Sequence, residues 1–472
     1  VISSRGARLA ACLLACLIAL GCPRSVPAAF GEFTIRDELE LARKFDLIIE
    51  TRFPVIEDTR ITGYVQSIVD RLVAAMPPQP FPIKVTVVRN GALNAFASAA
   101  GHITIFSGLI ANLSGEEELA SVIAHELAHV SERHIAKSIE QGKLVGAGSL
   151  LGILAAVLVG SQGGGDKANA LVLGSVAGAQ AMQLKYTREN ERDADQYGLG
   201  YLVDAGFSPN GMISAFEKIR RLEWMAGGGD VPSYLTTHPG MNERLGYVQE
   251  RINRLPEAVR KRRSDESAYS RVKMLIQAWY TDPNTALALF SAPETPSCMD
   301  FLGQAIALTR LRRVEEAGKR FAEAMACNPT DLLWKREFGR FSFENGELGV
   351  AVNALQEVVL NDPDDLYALF FYARAVAEQG NFAASVTAME RVAKAVPRDP
   401  EVLENLARYQ AAMGRAFEAH LNYAKAFAYR RQFRKYAFHL EKAEALAAGG
   451  RDRDTLALVR KEISEYREIL DI

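Results

Sequence analysis

Ser114-Gly115-Glu116-Glu117-Glu118-Leu119-Ala120-Ser121-Val122-Ile123-Ala124-His125-Glu126-Leu127-Ala128-His129-Val130 reads as one helix, and what it carries decides the class of the first half of the chain. Ser114 and Glu117 have the spacing of a capping box at its start. A helix turns by ~100° per residue, so His125 and His129 project from one face about 40° apart. Two imidazoles so placed can take neighbouring corners of a tetrahedral Zn2+ site. Glu126 lies about 100° round from His125, beside such a metal rather than on it, where it can take a proton from an activated water. Leu119, Val122, Ile123, Leu127 and Val130 make the flanks apolar enough to bury the helix, and buried histidines and glutamate need an ionic reason to be there.

A third ligand must come from elsewhere. His134 is excluded as a ligand: on a continuous helix it stands some 140° round from His129. Glu132 and Ile135 also fill the glycine and histidine slots of the longer HExxHxxGxxH pattern. The acidic segment Tyr186-Thr-Arg-Glu-Asn-Glu191-Arg-Asp-Ala-Asp195-Gln-Tyr-Gly198 is the better source. Glu191 and Asp195 are four apart on one helical face, so one can bind the metal while the other orients a ligating histidine.

Upstream, residues 82–89, 94–99 and 102–106 alternate or are β-branched and predict three short strands. Downstream, the basic run Arg260 to Arg263 marks a linker over 256–266, a solvated stretch that needs no partner. Beyond it the pattern is helical and periodic. Gly346, Gly380 and Gly414 recur every 34 residues, with Gly339, Ala373 and Ala407 before them and Ala351, Ser385 and Ala419 after. Pro329, Pro363 and Pro397 keep the same step, while Arg312 takes a glycine slot and Arg431 a proline slot. A 34-residue helix–turn–helix period resembles the tetratricopeptide repeat and predicts about four units between 265 and 445, with capping helices to the C-terminus. Such arrays stack into a curved solenoid that holds peptides or partner proteins.

Residues 1–28 read as an export signal: Arg5 and Arg8, an apolar run from Leu9 to Gly21, and a small-residue cleavage site at Val26-Pro27-Ala28. Ala19 to Cys22 and Leu13 to Cys16 also resemble lipoboxes, which would anchor the chain by lipid through Cys22 or Cys16. With 55 basic against 57 acidic residues the net charge is -2, so no nucleic-acid partner is expected. The five cysteines are too sparse for a disulfide framework. Export permits Cys298 and Cys327 to pair, but Cys327 at a helix end reads more simply as a small buried thiol. Two apolar stretches, 144–160 and 168–182, fall short of the ~20 residues of a membrane span. They predict a helical hairpin packed near the cleft or under the repeat array, or else in shallow membrane contact, with the glycine-rich joint 161–167 as a mobile lid.

HELAH followed some sixty residues later by Thr187-Arg188 and the Glu191/Asp195 pair resembles the metallopeptidase family of the CAAX prenyl protease and the bacterial heat-shock membrane protease. The resemblance assigns the third zinc ligand to Glu191 and the histidine-orienting role to Asp195. Asn94-Ala-Phe-Ala97 and Gly101-His-Ile-Thr-Ile resemble the family's segment before the active helix, where an edge strand pairs with an extended peptide, so Asn94 would line the substrate wall. Thr237-His238-Pro239 with Arg244 resembles its His-Pro segment. There His238 would steady the oxyanion or close the fourth zinc position, and Arg244 would join Asn94 in substrate binding. With export and repeats added, the chain resembles the periplasmic, β-barrel assembly-enhancing group of this family.

The resulting expectation is an α+β zincin-like metallopeptidase domain over 30–255, binding one Zn2+ per chain through His125, His129 and Glu191, followed by an all-α repeat solenoid over 267–472. It predicts an endopeptidase in the periplasm of a Gram-negative bacterium that cleaves misfolded or stalled envelope proteins. The repeats would recruit substrate or the outer-membrane assembly machinery. The alternative is a non-proteolytic chaperone or assembly scaffold with a latent zinc site. A structural zinc site has no use for Glu126, which favours the enzyme.

Overall fold

The computed structural model describes residues 33–140, 187–225, 234 and 238–470. The signal and lipobox segments, the 144–182 stretches with their joint, and Thr237 lie outside the described residues. Thr34 opens helix α1 (Ile35–Arg52) through a capping box with Asp37. Asp58 caps α2 (Thr59–Val73), whose Ile61, Val65, Ile68, Val69 and Leu72 form one buried stripe.

The three strands expected from the sequence form, the first two shorter than expected: β1 (Lys84–Val88), β2 (Ala95–Ala97) and β3 (His102–Phe106). The sheet order is β1-β3-β2. β3 runs parallel to β1, with Lys84 opposite His102, and antiparallel to β2, with Phe96 opposite Thr104. β2 is therefore an edge. A tight turn links β2 to β3, with Ala100 at φ 51 and Gly101 at φ 77. The left-handed φ of Gly101 suits glycine, and a Cβ there would also come within 2.5 Å of the Ile83 side chain.

After α3 (Ser107–Asn112) comes α4 (Glu116–Ser131), buried without a break from Glu118 to Val130. The capping box expected at Ser114 and Glu117 does not form. The helix starts one residue later, so Gly115 is the N-cap and has no side chain to cap with. Glu118 instead accepts the Ser114 N–H at 2.7 Å, and Glu117 accepts the Ser264 N–H at 2.8 Å. The chain continues through α5 (His134–Glu140), α6 (Arg188–Asp204), α7 (Asn210–Met225) and α8 (Met241–Asn253). A capping box between Thr187 and Asn190 starts α6.

The second half opens with α9 (Glu266–Tyr280) and α10 (Pro283–Ser291). Four regular helix pairs follow: α11 (Cys298–Arg310) with α12 (Val314–Cys327), α13 (Leu332–Glu344) with α14 (Leu348–Asn361), α15 (Leu366–Glu378) with α16 (Phe382–Ala395), and α17 (Pro400–Ala412) with α18 (Ala416–Tyr429). α19 (Phe433–Leu446) and α20 (Gly450–Leu470) end the described array. The periodic glycines sit in the turns within pairs at φ 80, 87 and 76, and Arg312 takes the same left-handed turn at φ 60. Arg431, in the slot where the period has proline, is left-handed too, and α19 follows α18 after a tighter turn. The small periodic residues Ala351, Ala373, Ser385 and Ala407 are fully buried where helices cross.

Cys298 and Cys327 form a disulfide with Cα atoms 5.7 Å apart, which corrects the reading of Cys327 as a buried free thiol. They are the first and last residues of the α11–α12 pair, so closing that hairpin brings them together, and Cys327 is exposed. The two halves share one core, from Ile56 in the first to Phe341 in the second. Arg336 of α13, fully buried, makes two 2.8 Å bonds to Asp58, and Arg60 of α2 pairs with Asp362 and Asp365. No helix among the described residues is long and apolar enough to cross a membrane.

Candidate metal centre

The approach of α6 to α4 builds the centre. Gly198 lies against α4, where a Cβ would stand 3.0 Å from the Ala124 carbonyl, so the two axes come close. One and two turns before Gly198 on the same helix, Asp195 and Glu191 reach the histidines. His125 Nε2 lies 3.1 Å from His129 Nε2. Glu191 Oε2 is 3.5 Å from His125 Nε2, and its Oε1 is 3.5 Å from His129 Nε2. His238 joins them, its Nδ1 3.3 Å from His125 Nε2 and 3.1 Å from Glu191 Oε1. All four residues are buried, and their donor atoms lie within 4.8 Å of one another.

Donors held 2.0–2.1 Å from a tetrahedral ion stand roughly 3.3–3.4 Å apart. The observed separations bracket that edge, and three imidazoles with a carboxylate are a donor set suited to such an ion. The residues present therefore fit a tetrahedral metal.

Behind the donors stands a layer that orients them. Asp195 Oδ1 lies 3.0 Å from His125 Nδ1. Arg244 of α8 bonds Asp195 through Nε at 2.8 Å and Nη2 at 2.7 Å, and its Nη1 reaches Glu191 Oε2 at 2.6 Å. Tyr247 also donates to Asp195. Sequence reasoning set Arg244 beside Asn94 on the substrate side; the structure places its guanidinium behind the donors, buried between two carboxylates. Asn94 is buried just before β2, with its backbone carbonyl taken by the Phe106 N–H at 3.0 Å.

Sequence reasoning missed the places of three further residues. His134 Nδ1 lies 2.8 Å from His129 Nδ1. It is not among the four donors, as expected, but α4 ends at Ser131 and Arg133 turns left-handed at φ 50, which swings His134 back behind His129. That break was the missed signal. Tyr234 stacks on His238 with ring centroids 4.3 Å apart, and Tyr247 meets Asp195; neither belongs to a motif.

Charge is balanced inside this dry centre. Burial and Arg244 push the His125 imidazole down, but Asp195 and Glu191 outweigh them and hold it at about 9. Burial would raise the Glu191 carboxyl, yet His238 and Arg244 hold it well below the usual range. Burial pushes Glu126 up. Its Oε2 accepts the Ala97 N–H at 3.0 Å, while Oε1 has no hydrogen bond among the described residues and lies 3.5 Å from His238 Nε2.

An HExxH helix, a glutamate from a second helix and a capping helical-repeat array define a metallopeptidase joined to a repeat solenoid. Residues 59–252 match the model of peptidase family M48, and residues 342–409 match the tetratricopeptide repeat. The chain is 27% identical over 399 residues to the beta-barrel assembly-enhancing protease of Yersinia pestis, covering 82% of this chain and 77% of that protein. It is 33% identical to the putative beta-barrel assembly-enhancing protease of Vibrio cholerae over 48% of this chain, spanning 46% of that relative. The metalloprotease LoiP of Escherichia coli is 29% identical over 175 residues, 37% of this chain and 64% of that one.

A concavity lies between the halves. About 1010 Å³ in volume, it is lined by Glu57 from the peptidase side and by Trp279, Arg340, Tyr367, Phe371 and Arg374 from the array. The Arg340 guanidinium stacks 3.5 Å over the Trp279 ring.

Proposed function

We propose that the chain is an exported, zinc-dependent endopeptidase that cleaves misfolded or stalled proteins of the bacterial envelope, with the repeats recruiting substrate or assembly machinery. The observation that carries this reading is the four-donor cluster with Glu126 beside it. His125, His129 and Glu191 would hold the zinc, which when bound supplies the Lewis acidity of such sites. Asp195 and His134 fix the ring orientations of His125 and His129 from behind.

Glu126 takes a proton from the attacking water through Oε1, while the Ala97 N–H holds Oε2 and keeps the carboxylate from rotating. It then returns the proton to the departing amine. The backbone of Ala95 and the carbonyl of Ala97 face away from β3, the Ala97 N–H being held by Glu126, so an extended peptide would add beside β2 through these groups, with Asn94 at the start of that wall. The arginine–aromatic chamber between the halves is suited to holding a peptide. The names of the relatives support an envelope role; export and periplasmic location rest on the N-terminal segment.

The full burial of His238 among the donors favours a second, compatible reading in which the site rests closed, with His238 in the fourth position. Zinc content and cleavage of unfolded β-casein, compared between wild type, Glu126→Gln and His238→Ala, test both. One zinc per chain with cleavage lost only in Glu126→Gln supports the enzyme. Faster cleavage by His238→Ala supports the closed state, and a chain without zinc refutes the proposal.

A further inference from the structure

The catalytic helix α4 begins at Gly115, which offers no side chain, yet its first turn needs acceptors for its N–H groups. One comes from the other half of the protein. Glu266, the first residue of α9, accepts the Glu116 N–H through Oε2 at 2.9 Å. Its carboxylate sits so closely over this turn that a Cβ on Gly115 would lie 2.6 Å from Glu266 Oε1. The neighbouring Ser264 N–H bonds Glu117 on the same turn at 2.8 Å.

The rest of α9 stitches the preceding corner. Tyr269 donates to the carbonyls of Ile110 and Leu113, Lys273 to Leu113 at 2.7 Å, and Gln277 to Ala111 at 3.1 Å. These are the carbonyls that the end of α3 leaves without helical partners. One helix of the second half thus satisfies both the end of α3 and the start of α4. A negative carboxylate on the first turn also suits the helix dipole.

We infer that Glu266 is a positioning residue for the peptidase, fixing the axial place of the catalytic helix from the repeat side of the chain. Because α4 is enclosed by core from Glu118 to Val130, it moves as a rod. An axial shift at Glu116 therefore arrives undiminished at His125 and Glu126, roughly 14 Å along at 1.5 Å per residue. Glu191 and the Ala97 N–H belong to other elements and do not move with it, so the donor cluster and the base are misaligned together. Displacements of about 1 Å cost turnover steeply. The inference rests on the peptidase reading, and its test includes a readout independent of turnover.

In the full-length chain, Glu266→Ala and Glu266→Gln are compared with Glu257→Ala as a surface control. The readouts are kcat and KM on an unfolded-casein peptide and the visible d–d spectrum of the Co2+-substituted protein. Glu266→Ala is expected to lower kcat roughly tenfold with KM unchanged, since Glu266 touches no substrate, and to shift the Co2+ bands. Glu266→Gln keeps an acceptor oxygen and is expected to restore the spectrum and most of kcat. A Co2+ spectrum and kcat unmoved by Glu266→Ala overturn the inference, as does a loss that Glu266→Gln does not restore. A wild-type chain without turnover refutes the peptidase reading alone; Co2+ bands that move with Ala and return with Gln still uphold the positioning role.

Discussion

The backbone N–H of Ala97 on the edge strand bonds Glu126 Oε2 at 3.0 Å, tying the strand that would receive substrate to the carboxylate that would move the proton. Glutamine keeps a carbonyl oxygen for Ala97 but cannot accept a proton. Glu126→Gln is therefore expected to bind metal like the wild type and to lose about 10²–10⁴-fold in kcat. Because burial disfavours the Glu126 charge, the variant's melting temperature should not fall. Metal analysis, peptide turnover and a thermal melt on one preparation check all three.

Arg244 is the counter-charge that lets two carboxylates share a dry site, with one arm on Glu191 and two nitrogens on Asp195. Arg244→Met strands both acids, at about 3–5 kcal/mol when one partner of a buried pair is removed. The loss should be largest after a chelator strips the metal, because bound cation replaces part of the missing charge. Arg244→Lys should rescue little, since one ammonium cannot span both carboxylates. Melts with and without chelator decide it; equal destabilisation in both states would show that Arg244 does not serve the centre.

Much of the fold and of the site was legible because it is written in local periodicity. Four-residue spacing put His125 with His129 and Glu191 with Asp195, and a 34-residue step marked the repeats. What stayed hidden depends on long-range closure or on where a helix stops. The capping box failed because α4 starts one residue late, and its cap comes from Glu266, 150 positions away in the chain. His134 was excluded as a ligand by a continuous-helix argument, yet the break at Arg133 gives it a place behind His129. Arg244 carries a charge that reads equally well as facing substrate or facing acids, and only packing decides between them.

The Cys298–Cys327 disulfide closes the open end of the α11–α12 hairpin across 29 residues of sequence. In the chain-entropy picture a loop of that size is worth about 3–4 kcal/mol. The double variant Cys298→Ser/Cys327→Ser should unfold at lower denaturant, and reductant should bring the wild type to the same midpoint. If reductant leaves the wild-type midpoint unchanged, the bond does not hold this unit together.

Glu57 is an exposed residue at the rim of the chamber between the halves, where the chamber walls crowd one side of it. Burial first, then the charges of Asp399 and Glu50, push its carboxyl up to about 7. In the unfolded chain the same group ionises near its ordinary value of 4.5. Between those two values the folded protein holds a proton that the unfolded chain has released, so stability falls as pH rises through this window and levels off above it. Below it both states are protonated and the group contributes nothing. Glu57→Gln removes the charge and should raise the melting temperature at pH 8 while leaving it unchanged near pH 4.5, with the difference opening between. The remaining water contact makes the effect smaller than for a fully enclosed carboxylate. A difference of the same size at both ends would mean that Glu57 acts through packing rather than through its charge.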